Sequence, residues 1–266
     1  MLKEHDVING KYIVTGFIAE GGTSLLYELK DQQGKKAVLK IVKEPTTLFK
    51  QQLENESKIL ASLEIANIPV LYDKFQYKDQ YPAIVMEKVP GKTIAYLIEK
   101  DKQKFHWKQL LSVAKQMALM VKQLHDHQPA IIMRDIKPSN VLLTDDNRVS
   151  IVDFGAAATP ETNTMALGTI GFAAPEQFER GVCDGRSDLF SMGATLFYIL
   201  SNGKNIFTTE HEAMVWERLP KSFAKIILKL TKTDKSERYQ NIDQLIKELD
   251  KVKLSWKERF FSRRFK

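Results

Sequence analysis

Hydrophobic and polar residues change their spacing near residue 90. Before it, short runs alternate. Residues 12–18 and 25–29 do so in the manner of half-buried strands, with Gly21 and Gly22 supplying the turn, and Lys36–Val42 reads as a third strand. Leu53, Ile59, Leu60 and Leu63 then share one face of a helix over 48–63, entered after the break at Pro45. Residues 70–75 and 83–86 supply two more strands, and Val89-Pro90-Gly91 suits a hinge. After it the period becomes helical. Leu110, Val113, Ala114, Met117, Val121 and Leu124 mark one face of a long helix ending near His125. Residues 188–200 are apolar nearly all round, which predicts a buried central helix, and helices over 213–219, 223–230 and 242–252 follow. The pattern predicts an α+β protein in two lobes: a small β-rich lobe with one main helix over 1–89 and a larger, mainly helical lobe over 90–250. Ligand sites are expected in the cleft between them.

Composition narrows this little. A chain of 266 residues, 43% hydrophobic and 27% charged, can bury a substantial core and is ordinary for a soluble globular protein. The longest apolar-leaning run, 192–200, is about half of a bilayer crossing. Glu4 and Asp6 interrupt the start where a secretory signal would need apolar residues. The lone Cys183 excludes an internal disulfide and suits a reducing compartment, so the expected location is cytoplasmic.

Charge adds one feature. The net charge is +7, yet between Lys251 and Lys266 seven Lys and Arg stand against Glu258 alone, a local +6 that leaves about +1 for the rest. Trp256, Phe260, Phe261 and Phe265 lie among those cations. This tail, 251–266, is suited to an anionic membrane or to nucleic acid, which would make the protein membrane-associated. The plainer alternatives are a solvated helix end or a chain cut short before a membrane span.

The candidate chemistry lies in M-R-D-I-K-P-S-N, residues 133–140, and D-F-G, residues 153–155, with a strand-like segment between them. Asp135, Lys137 and Asn140 fall within six residues, and Asp153 follows Asp135 by eighteen. Phosphoryl transfer from ATP needs such a set: a base for the attacking hydroxyl, a cation for the moving charge, and oxygen ligands for magnesium.

D-x-K-P-x-N followed by D-F-G resembles the catalytic core of the eukaryotic-type Ser/Thr protein kinases, a family also widespread in bacteria. The resemblance spans roughly Tyr12 to Leu249. A-V-L-K at residues 37–40 resembles the family's V-A-I-K strand, and G-T-I-G-F-A-A-P-E-Q-F from Gly168 resembles the end of its activation segment. S-D-L-F-S-M-G from Ser187 and S-E-R-Y from Ser236 match its later signatures, and D-F-G-A-A has a bacterial style.

The resemblance implies a two-lobed, ATP-dependent kinase acting in signalling on protein Ser/Thr hydroxyls. Asp135 would be the base and Lys137 the cation at the transferring phosphate, and D-x-K favours Ser/Thr over Tyr. Asn140 and Asp153 would ligate Mg2+, with Mn2+ as the alternative. Lys40 would clamp the α- and β-phosphates. It needs a carboxylate partner, and Glu54 and Glu56 both qualify; the family spacing, counted back from Leu63, selects Glu56 and leaves Glu54 as the alternative. The phosphate-covering loop is degenerate. In Ala19-Glu20-Gly21-Gly22-Thr23-Ser24 only the second of three glycine positions is filled, by Gly21. Ile18, Leu26 and Val38 would bracket the adenine from above and Leu142 from below, with Glu87 and Val89 completing the ATP set. Met133 stands where the family usually has His and would pack against Phe154.

The activation segment contains Thr159, Thr162, Thr164 and Thr169. Arg134 could pair with a phosphothreonine, which predicts autophosphorylation at Thr162 or Thr164, with self-association if it proceeds in trans. Thr169 is expected to touch Asp135 and Lys137. Glu176 with Arg238, and Asp188 beneath the catalytic loop, are scaffold by family analogy. The irregular glycine loop and Met133 keep open a different class, a nucleotide-binding scaffold that signals by shape. Retention of Lys40, Asp135, Lys137, Asn140 and Asp153 favours the enzyme.

Overall fold

The computed structural model describes residues 2–159, 167–179 and 183–253. Thr162, Thr164 and the tail beyond Lys253 lie outside the described residues. The chain divides into two compact units: one runs to Pro90 and adds Val152–Ala157, and the other takes Gly91–Ile151 and everything from Ala158 onward.

The first unit is an antiparallel sheet with one helix. Its strands are β1 (Val7–Ile8), β2 (Tyr12–Glu20), β3 (Ser24–Asp31), β4 (Lys36–Val42), β5 (Leu71–Tyr77) and β6 (Tyr81–Glu87), in the order β1-β2-β3-β4-β6-β5. The central register places Tyr27 opposite Leu39 and Leu39 opposite Val85, and these residues with Ile8, Val14 and Leu29 form a buried core. Helix α1 (Thr47–Ser62) starts where Thr46 accepts a hydrogen bond from the Phe49 N–H, just after Pro45. It buries Leu53, Glu56, Ile59 and Leu60.

The second unit is mainly helical. It contains β7 (Lys92–Thr93), α2 (Ile94–Glu99), α3 (Trp107–His125), β8 (Val141–Leu143), β9 (Val149–Ile151), α4 (Pro175–Glu179), α5 (Gly185–Ser201), α6 (His211–Arg218), α7 (Lys221–Leu230) and α8 (Ile242–Asp250). Strands β7, β8 and β9 form a small sheet in that order. Helix α5 runs from an Asp184 cap to a left-handed Asn202, and every residue from Ser187 to Ser201 is buried. Gly193 lets α7 approach: a Cβ there would lie 2.6 Å from the Leu230 Cβ.

The α+β class read from periodicity is the one observed, with most element ends shifted by one to three residues. The helix expected over 242–252 stops at Asp250, because the Lys251 N–H already turns back to the carbonyls of Glu248 and Leu249. Pro90 and the stretch Val152–Ala157 belong to the first unit. The reason is local: Lys40, Asn55 and Glu56 hold that stretch by hydrogen bonds. Among the described residues no helix is long and apolar enough to cross a membrane.

Candidate active site

In the first unit, Lys40 leaves β4 with its ammonium buried. Its Nζ lies 2.6 and 2.9 Å from the two Glu56 oxygens and 2.7 Å from Asp153 Oδ1. Burial alone would lower the lysine's pKa, but the carboxylates of Asp153 and Glu56 outweigh it and hold the group above its ordinary value, so it stays charged. Glu56 also accepts the Phe154 N–H at 3.2 Å, and Asp153 Oδ1 accepts the Gly155 N–H at 3.2 Å. The Asn55 amide donates to Ala157 O at 2.8 Å. Asp153 itself has φ of 69°, a left-handed backbone that costs a non-glycine residue energy and is kept by these ties.

The choice between the two glutamates is thereby made. Glu54 points elsewhere, 2.6 Å from Lys74 and 3.8 Å from Lys58 at the surface, because residues two apart on a helix diverge. Glu56→Gln is expected to destabilise the first unit by about 1–3 kcal/mol, since the buried ammonium loses a charged partner. Glu54→Gln should cost less than about 1 kcal/mol, as for exposed ion pairs. Urea denaturation of the two variants checks the difference, and equal losses would contradict the assignment.

In the second unit, the Thr169 hydroxyl donates to Asp135 Oδ1 at 2.7 Å and accepts from Lys137 Nζ at 2.8 Å. Lys137 Nζ also lies 2.7 Å from Asp135 Oδ2. The Asn140 Nδ2 donates to the Asp135 carbonyl at 3.0 Å, which fixes which end of the amide is oxygen and leaves Oδ1 as its acceptor. The loop bearing these groups hangs on Asp188, whose buried carboxylate accepts the N–H of Met133 at 2.9 Å and of Arg134 at 2.8 Å, and meets His125 Nε2 at 2.8 Å. Thr195 adds a bond to Ile136 O at 3.2 Å. Arg134 is left-handed, with φ of 62°. A three-donor buried carboxylate is what holds such a backbone in place.

Ile18 sits at a register shift in β2 and is exposed, while Ala19 pairs with Leu26. Val38 pairs with Met86, and Lys40 lies opposite Leu26 on one side and Ile84 on the other. Gly21 closes the β2–β3 turn by donating to Ser24 O at 2.8 Å, and the Ser24 side chain is buried. Gly22 leaves the space where a Cβ would stand open. Neither glycine is left-handed. Glu87 ends β6 with its N–H on Val70 O at 2.8 Å, and Val89 follows it half-buried. Leu142 lies on β8 in the second unit, half-buried beside Thr93 and Ser150. Met133 and Phe154 are both fully buried. Thr159 follows the Ala158 bridge to Ile132. Glu176 accepts two hydrogen bonds from Arg238, at 2.7 and 2.9 Å.

Asp153 in the first unit offers a carboxylate oxygen and Asn140 in the second an amide oxygen, each the donor type that a hard divalent cation prefers. Among the described residues no group of three or more His, Cys, Asp or Glu gathers as a self-sufficient metal cage. Four supporting residues escaped the sequence reading: His125, Asn55, Gln177 and Thr195. Gln177 lay inside a quoted motif and His125 at a predicted helix end, which were the available signals.

The protein kinase domain family profile matches residues 12–260. Among curated proteins, the chain is 28% identical to serine/threonine-protein kinase PrkC of Bacillus subtilis over 90% of this chain and 40% of PrkC. It is 32% identical to serine/threonine-protein kinase PknL of Mycobacterium tuberculosis over 81% of this chain and 55% of PknL. The chain thus spans about half the length of these curated relatives.

Proposed function

Because the chain belongs to the protein kinase domain family, we propose that it transfers the γ-phosphate of ATP to serine and threonine hydroxyls of proteins. The observation that carries this reading is the Asp135 carboxylate, gripped by Thr169 and Lys137 and standing on the loop that also carries Asn140.

Each residue has a task in that reaction. Asp135 accepts or orients the proton of the acceptor hydroxyl, and Lys137 stabilises charge on the transferring group. Lys40, kept protonated by Glu56 and Asp153, is a cation for the α- and β-phosphates. Asp153 and Asn140 would hold Mg2+ or, as the alternative, Mn2+; when bound, the ion draws charge from the phosphate oxygens. Positioning supplies much of the acceleration, and the ties to Asp188 and Glu56 provide that rigidity.

The test is incubation of the chain with labelled ATP and a generic protein acceptor. Label should appear on Ser and Thr, vanish on chelation with EDTA by at least about a hundredfold, and return with added Mg2+. Metal-dependent nucleotide binding with no transfer would instead make the chain a nucleotide-binding scaffold. Two finer parts belong to the same proposal: autophosphorylation at Thr162 or Thr164, with self-association, and recruitment to anionic membrane or nucleic acid through Lys251 to Lys266. Phosphopeptide mapping tests the first. Vesicle and DNA co-sedimentation with and without the tail tests the second.

A further inference from the structure

Gln177 is 1% exposed, and both N–H donors and the oxygen of its carboxamide are engaged. Its Nε2 donates to Arg134 O at 2.8 Å and to Leu167 O at 2.7 Å, while its Oε1 accepts the Ala174 N–H at 3.1 Å. Arg134 is the residue before Asp135. Leu167 stands two residues before Thr169, whose hydroxyl bridges Asp135 and Lys137. One side chain therefore joins the segment that carries the carboxylate to the segment that carries the hydroxyl.

Only an amide fits. Two carbonyl oxygens need two N–H donors from one atom, and the Ala174 N–H needs an acceptor on the other. Glutamate would set oxygen against two carbonyls, and a hydrocarbon would remove all three hydrogen bonds. The neighbouring chain is shaped to the same contact. Gly168 has φ of 146°, and a Cβ there would come 2.5 Å from the Ala173 Cβ and 2.8 Å from Gln177 Nε2. Beyond Gly168, the Thr169 carbonyl accepts the N–H groups of Phe172 and Ala173 at 3.0 and 2.9 Å. Thr169 is thus pinned on both sides.

We propose that Gln177 is a positioning residue that holds Thr169 against Asp135, so that α4 sets where the proton-accepting carboxylate points. This rests on the phosphotransfer reading above. It adds a determinant of the reaction rate on a residue that touches neither nucleotide nor acceptor.

The experiment compares Gln177→Glu, Thr169→Val and the double variant in the full chain. Gln177→Glu should lower kcat by about tenfold or more, because small displacements of a catalytic group are costly, while KM for ATP stays within about twofold. The effect should be non-additive: in the Thr169→Val background the same change should cost less than about threefold. Amide exchange in peptides covering 167–173 should quicken in Gln177→Glu and not in Thr169→Val. An equal kcat loss in both backgrounds, or unchanged exchange over 167–173, would overturn the proposal. If the unaltered chain transfers no phosphate, the phosphotransfer reading fails, and the exchange comparison still decides whether Gln177 holds this loop. Should Gln177→Glu not fold, Gln177→Met carries the same comparisons without an added charge.

Discussion

Asp135→Asn is expected to lower phosphate transfer by about 10²–10⁴-fold, the range for removal of a general base. The substitution keeps size and shape, and the Asn carbonyl can still accept from Thr169. Its NH2, however, would face the Lys137 ammonium, donor against donor, where Asp135 Oδ2 now lies 2.7 Å away. The acceptor hydroxyl then has no group to take its proton, and Lys137 loses the anion that aims it. Neither side chain contributes to the buried core, so the melting temperature should hold. Lys40 and Asp153 belong to the first unit, so binding of a fluorescent ATP analogue should also hold. Labelled-ATP turnover beside that binding measurement separates the two effects. Undiminished turnover would remove Asp135 from its proposed role.

Arg238→Leu is expected to destabilise the second unit by about 3–5 kcal/mol, the usual cost of breaking a buried ion pair from one side. All five N–H donors of the guanidinium are engaged. Nε donates to Lys232 O at 2.7 Å; one terminal nitrogen donates to Glu176 at 2.7 Å and Arg186 O at 3.1 Å, and the other to Glu176 at 2.9 Å and Thr233 O at 2.8 Å. The Phe190 ring lies against its face, 4.8 Å from ring centre to guanidinium carbon. Leucine would strand three carbonyls and the half-buried Glu176 carboxylate. Urea denaturation measures the loss, and a change under about 1 kcal/mol would show that solvent replaces these bonds.

The same pair has a pH signature. Burial alone would raise the Glu176 pKa, but hydrogen bonds from Arg238, aided by the Ser187 hydroxyl, bring it below the ordinary value. With the folded value below the unfolded one, this group's contribution is full above the unfolded pKa and is lost as pH falls through the folded value. In Arg238→Leu only the Ser187 hydroxyl and a backbone N–H still oppose burial, so the folded value should move upward. The stability gap between the two proteins should therefore narrow on acidification below the ordinary glutamate range, and a gap that widens there would contradict this account.

Much of the fold was written in periodicity. Helices α1, α3, α5, α6 and α7 and strands β2 to β6 fall within a few residues of where apolar spacing put them, because each buries a face long enough to show a repeat. The elements that escaped are short: β1, β7, α2 and α4 have two to six residues, too few to display a period. The three-residue pair β8 and β9 showed only as a strand-like segment between two motifs. Residue identity brought forward Lys40, Asp135, Asn140 and Asp153, since their chemistry names them. It did not bring forward Asn55, His125 or Gln177. Their tasks exist only once distant backbone groups are in place, as when Gln177 finds two carbonyls 43 and 10 positions away. Glu54 and Glu56 could be ranked by spacing, yet only the helix's rotation about its axis separates them.

The excursion of Val152–Ala157 into the first unit has a topological consequence. The backbone crosses the partition three times, after Pro90, after Ile151 and after Ala157. No single scissile bond can therefore separate the molecule into two self-sufficient pieces. A fragment ending at Pro90 would keep Lys40 and Glu56 but lack the aspartate and the peptide N–H that complete their cluster, leaving a polar knot in the interior half tied.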